Sequence, residues 1–377
     1  MRLGIDVSTY FEELEHGAKY YDRGKEVSPL DLFRANGVDI MRIRLWVDPY
    51  GTNGKPYLAG NCDLDNFLKL ATLAESKGYF IMLDFHYSDF WADPGKQFIP
   101  KSWAHLDLDG LVQQVYDYTK KTLLTIAEKG IKLAYIQVGN EITNGMLWPL
   151  GRLIEHKDGP RTNYNSLIKL LKAGIAACRE VTPDSDLILH LEKSYDQVIY
   201  NEYLTQMQQA GVDYDIIGYS YYPYWHGTFE QFYANVDFCK KFGKRQMVVE
   251  LGYAFTVEDY MKREHGGAQL IVNTDNIEDL GFTQEYPLTP EGQKFFTEEF
   301  LRLAELHGIE AVCWWEPLWV AGEEICWSSE EGMRYIHEEG KPTRNEWANQ
   351  CLFDYNCEKL PAFDAFKVKS NNGKKPI

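Results

Sequence analysis

KLAYIQVGNEITNGMLW, residues 132–148, begins as an apolar, β-branched run and stops abruptly on Gly139-Asn140-Glu141. A second run, QMVVE at 246–250, ends the same way on a carboxylate. Each reads as a β-strand that delivers a glutamate at its C-terminal end. Paired carboxylates are the tools of glycosidic-bond cleavage: one protonates the leaving oxygen while the other attacks the sugar or activates water. Glu141 and Glu250 are too far apart in sequence to form a local motif, so only the fold can bring them together.

Six further runs have the same strand character, near Leu3–Val7, Ile40–Trp46, Phe80–Phe85, Leu187–Leu191, Ile216–Tyr221 and Ala311–Trp315. Amphipathic stretches separate them, among them Leu64–Lys77, Leu111–Lys129, Tyr164–Val181, Tyr195–Ala210, Thr228–Phe242 and Glu291–His307. Glycines 130, 211, 243 and 308 fall just past helix ends, where a positive φ is favoured. Eight strands alternating with helices predict an α/β fold, a single (β/α)₈ TIM barrel with long βα loops forming a groove. An open doubly wound sheet would need a glycine-rich turn after its first strand, and Asp6-Val7-Ser8-Thr9-Tyr10 has none. In a barrel, chemistry sits where the strands end, as both glutamates do.

The 377 residues exceed the roughly 250 of a plain barrel, and no linker-like or low-complexity tract divides them. One catalytic domain is therefore expected over 1–368, followed by a frayed tail, KSNNGKKPI, at 369–377. A net charge of −17 leaves no basic face for a nucleic-acid backbone and favours a neutral ligand. Ten tryptophans and 25 tyrosines exceed what a core of this size needs, and their flat faces suit stacking on sugar C–H surfaces as well as packing. Seven cysteines form no dense disulfide framework; Cys351 and Cys357 can close a small loop, and Cys313 in AVCWW reads as core. No membrane-spanning apolar run is present. A first strand that opens at Leu3 suggests a processed chain from which an export signal has been removed.

Other strand ends carry polar residues of matching type. Arg42, Arg44 and Trp46 alternate on one face, the third strand ends in Asp84-Phe85-His86-Tyr87, and the eighth in Trp314-Trp315-Glu316. Arg44 beside Glu250 would keep that carboxylate ionised below its ordinary pKa, whereas Glu141 needs a drier setting to stay protonated. Asn140 suits a bond to the sugar 2-OH, and Tyr219 and Tyr221 share a face from which a phenol can hold the nucleophile. Each also has a structural reading: Arg42 and Arg44 as a salt-bridge layer, His86 as a satisfied core histidine. Trp91, Trp148, Trp225 and Trp319 follow strand ends and are expected to line subsites, with Asp89 in the same substrate-binding set. An imidazole-rich metal site is poorly matched.

With these motifs assembled, the chain resembles the endo-β-1,4-galactanases of glycoside hydrolase family 53. The resemblance runs from Gly4-Ile5-Asp6-Val7-Ser8 through Arg42-Ile43-Arg44-Leu45-Trp46-Val47, the stretch 84–95, Gln137–Pro149, Tyr219–Gly227 and Val248-Val249-Glu250 to Trp315-Glu316-Pro317. It implies a retaining barrel hydrolase with Glu141 as acid/base and Glu250 as nucleophile. Arg44, His86, Asn140, Tyr221 and Trp315 would surround the reacting sugar. It also implies β-1,4-galactan of pectin side chains as substrate, no required cofactor, and a monomer that is secreted, periplasmic or held at the cell surface. Family members often bind calcium in the loops after strands seven and eight. Here no clean Asp-rich ligand stretch stands there, although Glu258, Asp259, Asn273, Asp275 and Asn276 offer oxygen ligands or form a solvated loop. The rival readings are a related barrel acting on mannan, xylan or glucan, and a catalytically silent glycan-binding barrel.

Overall fold

The apolar runs read as strands do form strands, and they close on one another. The computed structural model describes residues 1–157, 159–261, 267, 269–280 and 285–370. Its barrel strands are β1 (Arg2–Asp6), β2 (Ile40–Leu45), β3 (Phe80–Phe85), β4 (Leu133–Val138), β5 (Asp186–Leu191), β6 (Ile216–Tyr221), β7 (Arg245–Leu251) and β8 (Ala311–Trp315). All neighbours pair in parallel, and β1 meets both β8 and β2, which closes the barrel. Strands buried on both faces explain the near-continuous apolar runs.

The principal helices are α1 (Pro29–Ala35), α2 (Leu64–Ser76), α3 (Leu108–Glu128), α4 (Tyr164–Val181), α5 (Gln197–Gln209), α6 (Phe229–Cys239), α7 (Pro290–Leu306) and α8 (Asp364–Ser370). Side chains cap the starts of most of them: Asp63, Asp107 and Asp196 accept from first-turn amides, and Thr228 forms a capping box with Gln231. Such caps satisfy amides that have no partner within the helix. Phe363, just before α8, stacks on Phe33 of α1 at 4.4 Å, which ties the end of the described chain to the first barrel helix. Helix α8 includes residues 369 and 370; the rest of the expected tail lies outside the described residues. Short elements escaped the sequence reading: α1, the hairpin Tyr20–Asp22 with Lys25–Val27, and the single-turn helices Tyr10–Glu15 and Glu330–Tyr335. None is long enough to show a clear apolar period. The loop closure that Cys351 and Cys357 offered in sequence is not made, and both thiols are free. Cys351 instead donates to the Trp319 carbonyl at 2.8 Å.

Two apolar layers hold the barrel. Outside, strand residues such as Ile5, Leu83, Ile136 and Val248 pack on the helices. Inside, Ile40, Met82, Tyr135, Ile188, Ile216, Met247, Val249, Ala311 and Cys313 fill the floor, leaving the C-terminal mouth to polar groups. Gly4 makes room in that floor, since a Cβ there would lie 2.5 Å from the Cys313 sulfur and 3.0 Å from Ile40 Cβ. We expect Gly4→Ala to cost about 1–3 kcal/mol by overpacking, measured by denaturant unfolding. Adding Cys313→Ala should recover part of that loss, and a purely additive double variant would refute the clash.

Candidate active site

Two local departures from regular geometry place the glutamates. On β7, Met247 and Val249 face the barrel interior while Val248 faces the helices, so strict alternation would turn Glu250 outward. The ladder breaks the alternation there: Tyr219 pairs with Val248 but the next residue, Ser220, pairs with Glu250. The pairing with β8 skips in the same place, from Val312–Val248 to Trp314–Leu251. One extra residue on β7 forms a bulge that re-aims Glu250 into the mouth, a recurrent use of bulges beside functional sites. At the end of β4, Glu141 adopts φ 47° and ψ 49°, left-handed values that are uncommon for a residue with a Cβ and cluster at functional sites. Tyr87 and Glu316, just past β3 and β8, share this region with φ of 50° and 47°.

Arg42 is the centre of the polar layer. Its fully buried guanidinium lies 2.8 Å from Asp6, 2.8 Å from Asp84 and 3.0 Å from Glu250. It also donates to Asn140 Oδ1 at 2.8 Å and to Gln137. Tyr222 donates its hydroxyl to the other Glu250 oxygen at 2.8 Å. Glu141 has different company: Oε1 lies 2.6 Å from Ser220 Oγ, and among the described residues no cation pairs with it. Because Ser220 is the ladder partner of Glu250, the two carboxyl groups flank the end of β6.

These surroundings separate the two acids. Burial, reinforced by the charge on Glu250, lifts Glu141 well above the usual carboxylate range. Burial raises Glu250 too, with the Arg42 charge and the Tyr222 hydroxyl acting against it; the expectation that its cation would bring it below the ordinary value is not met, because desolvation outweighs the pairing. Asp84 goes the other way: Arg42 and His86 overcome its burial and hold it below the usual value. A protonated acid beside an ionised partner is the pattern used by retaining glycosidases.

A family model, that of glycosyl hydrolase family 53, matches residues 2–366. The chain belongs to glycosyl hydrolase family 53. An endo-β-1,4-galactanase of Bacillus subtilis is 29% identical, the match covering 97% of this chain and 85% of that protein. An arabinogalactan endo-β-1,4-galactanase of Cellvibrio japonicus is 31% identical, covering 97% and 90%. Among solved structures, the family 53 catalytic domain from Ignisphaera aggregans superposes with a TM-score of 0.85 at 34% identity, covering 97% of this chain and 95% of that one.

In this family 53 barrel a cavity of about 620 Å³ opens over the two glutamates. Of the residues expected at the site, His86, Trp91, Asn140, Glu141, Trp225, Glu250, Trp315 and Trp319 line it. Trp225 is 44% exposed and presents the most open aromatic surface. Four expectations are corrected. Arg44 does not reach Glu250; it pairs with Glu316 at 2.5 Å and lies under the Trp91 ring at 4.4 Å, one step further along β2 than the level of Glu250. Tyr221 faces the helices, packed on Phe232 and Phe300 with its hydroxyl on the Gly227 carbonyl, so the phenol at Glu250 belongs to the next residue. Asp89 is buried and bound to Lys101 at 3.0 Å, where it fixes the loop after β3. Trp148 lies outside the cavity lining, with the Arg152 guanidinium 4.3 Å from its ring.

Trp327, Trp347, Glu192 and His226 also line the cavity and were not read from sequence. The two tryptophans come from the long segment after β8, which has no strand-end signal to mark it. Among the described residues no three carboxylates, histidines or cysteines cluster as metal ligands. Asn273 and Asn276 spend their side-chain amides on the carbonyls of Leu270 and Ile271, and their oxygens accept from neighbouring amides.

The two tyrosines give a direct test. Removing the Tyr222 hydroxyl takes a hydrogen bond from ionised Glu250, so its pKa rises, and Tyr222→Phe should move the acidic limb of the kcat/KM–pH profile toward neutral pH. Tyr221→Phe should leave that limb in place and lower stability by about 1 kcal/mol. The opposite assignment follows if Tyr221→Phe moves the limb and Tyr222→Phe does not.

Proposed function

We propose that this chain is a retaining endo-β-1,4-galactanase acting on the galactan side chains of pectin, the type I arabinogalactans. The observation that carries the reading is the placing of two buried carboxylates by β6, one held by a cation and a phenol, the other facing a serine hydroxyl and raised well above the usual carboxylate range by burial. Glu250 attacks the anomeric carbon while Glu141 passes its proton to the leaving oxygen, giving a glycosyl-enzyme. Glu141, now a carboxylate, takes a proton from water, which displaces Glu250 and restores the β configuration. Asn140 fits the 2-OH role: its Nδ2 has one hydrogen on the Ala92 carbonyl and a second left for a sugar hydroxyl. Glu141 gives one proton and recovers one from water, Glu250 and then water act as nucleophiles, and no electrons change hands, so the proposed reaction needs no redox cofactor.

The galactan assignment draws on the names of the family 53 relatives. A polymer of this size does not cross a membrane unaided, so the enzyme is proposed to act outside the cell, as a monomer. Among the described residues no helix is long and apolar enough to cross a membrane. A panel of galactan, mannan, xylan and glucan, assayed for released oligosaccharides, separates the proposed substrate from its rivals; turnover on none would indicate a silent binding barrel.

Three measurements test the mechanism. Glu141→Ala should slow galactan hydrolysis by at least about 10²-fold, the lower range for a general acid, and substrates with activated leaving groups less so in the first step. Parent-like turnover would remove Glu141 from the role. NMR of the first product should show the β-anomer; an initial α-anomer means inversion, which needs carboxyls about 6.5–9.5 Å apart in place of the retaining ~5–5.5 Å. Glu250→Gly should abolish hydrolysis yet, with azide and an activated β-galactoside, yield α-galactosyl azide. A β-azide, or hydrolysis without added anion, would shift the nucleophile to another carboxylate.

A further inference from the structure

Behind Glu141 lies a chain of buried polar groups, Ser220, His190 and Asn140, and the proposed mechanism uses only the last of them. His190 on β5 is fully buried, and it bridges the other two. Its Nε2 lies 2.8 Å from Ser220 Oγ and its Nδ1 lies 2.9 Å from Asn140 Oδ1. The direction of every hydrogen in this chain follows from one fixed end.

That end is the amide of Asn140. Its Nδ2 donates to the Ala92 carbonyl at 2.9 Å, while its Oδ1 receives N–H groups from Arg42 at 2.8 Å and from Gln137 at 3.0 Å. Arginine has no acceptor to offer, so the atom it meets must be the amide oxygen. His190 Nδ1 faces this oxygen and therefore has to bear a hydrogen. The Glu141 amide also approaches Nδ1, at 3.3 Å. That longer contact does not compensate for two acceptors facing each other at 2.9 Å, which the other tautomer would create.

Burial and the nearby Arg42 charge hold His190 well below the ordinary histidine range, so the ring is neutral and carries one hydrogen only. With that hydrogen on Nδ1, Nε2 is an acceptor and takes the hydroxyl hydrogen of Ser220. Ser220 then has none left for Glu141 Oε1, 2.6 Å away. The short contact is a hydrogen bond only if Glu141 supplies the hydrogen.

We propose that His190 and Ser220 are positioning residues that store the acid's proton on Glu141 Oε1 in the free enzyme, by making Ser220 an acceptor toward it. The proposal rests on the reading of Glu141 as the general acid. When the proton leaves, Ser220 can turn its hydrogen to the new carboxylate only by giving up Nε2 of His190. Ionisation of Glu141 therefore costs one buried hydrogen bond that the protonated form keeps.

The sign of the test follows. Losing the His190 acceptor removes a bond from the protonated state and none from the ionised one, so the pKa of Glu141 falls. The other groups around it remain in His190 variants: Glu250 from β7, Glu192 after β5, Asp93 from the loop after β3 and Tyr222 after β6. Around His190 itself stand Arg42, His86 and His226.

His190→Phe should move both the Glu141 titration and the basic limb of the kcat/KM–pH profile down by about one pH unit, the size of one buried hydrogen bond. The titration is read by ¹³C NMR of carboxyl-labelled glutamate, assigned with Glu141→Gln. His190→Gln, which can present an amide oxygen to Ser220, should restore the parent values. In a Ser220→Ala background, His190→Phe should produce no further shift, because the coupling passes through the hydroxyl. In the unmutated protein, ¹⁵N spectra of labelled histidine, assigned with His190→Gln, should place the ring hydrogen on Nδ1.

An upward shift in His190→Phe would mean that His190 acts as a cation, and no shift would mean that it only packs; either result overturns the proposal, as does a hydrogen found on Nε2. If the Glu141 titration falls while the basic limb stays, the relay stands and the assignment of Glu141 as the acid fails.

Discussion

Everything at the mouth of this barrel is arranged around the Arg42 guanidinium. Three carboxylates from β1, β3 and β7, and the side-chain amides of Gln137 on β4 and Asn140 just past it, converge on its donors. A charge buried this deeply is tolerable only when it is paired and hydrogen-bonded, and truncating one partner of such a set typically costs about 3–5 kcal/mol. The same atoms that satisfy the arginine therefore fix Glu250 and set which way Asn140 points. From Asn140 the order passes to His190, Ser220 and finally Glu141. Positions on or at the ends of six other strands are thereby tied to one side chain at the centre of the mouth.

The two glutamates are chemically identical and both nine-tenths or more covered, so burial alone would protonate both. What separates them is company. Glu250 receives a cation on one oxygen and a phenol on the other, both of which favour its ionised form. Glu141 has a serine hydroxyl on one oxygen and the field of Glu250 against it. Proton ownership thus follows from the positions of Arg42 and Tyr222, and each carboxylate needs the other's charge state to keep its own.

Strands were legible because apolar, β-branched runs ending in polar groups have few alternatives, and β3, β6 and β8 match the expected bounds at both ends. The finer placement was less so. Reading inward and outward faces from alternation alone put Tyr221 at the site, but β6 ends at that residue and the chain presents Tyr222 instead. Alternation would also have turned Glu250 away, and only the extra residue on β7 corrects it; nothing in QMVVE signals a bulge. Arg42 and Arg44 share one face, so sequence offered both, and the level of each along the barrel axis decided which one meets Glu250. Trp327 and Trp347 come from a segment with no regular secondary-structure pattern, and only tertiary packing brings them to the cavity.

Arg44 shows why the aromatic wall belongs to the same design. It answers Glu316 and Asp6 from below, and its guanidinium lies 4.4 Å from the Trp91 ring, with Trp46 and Trp315 each at 5.7 Å. A desolvated cation under an aromatic face is attracted by the ring's quadrupole, which adds to packing in holding that ring still. Trp315 in turn meets Trp347 edge to face at 4.6 Å. The floor against which a sugar would stack is thus seated on the second arginine of β2, while the first orders the reacting groups. Two positions on one strand, two residues apart, thus hold the carboxylate Glu250 and the Trp91 ring respectively.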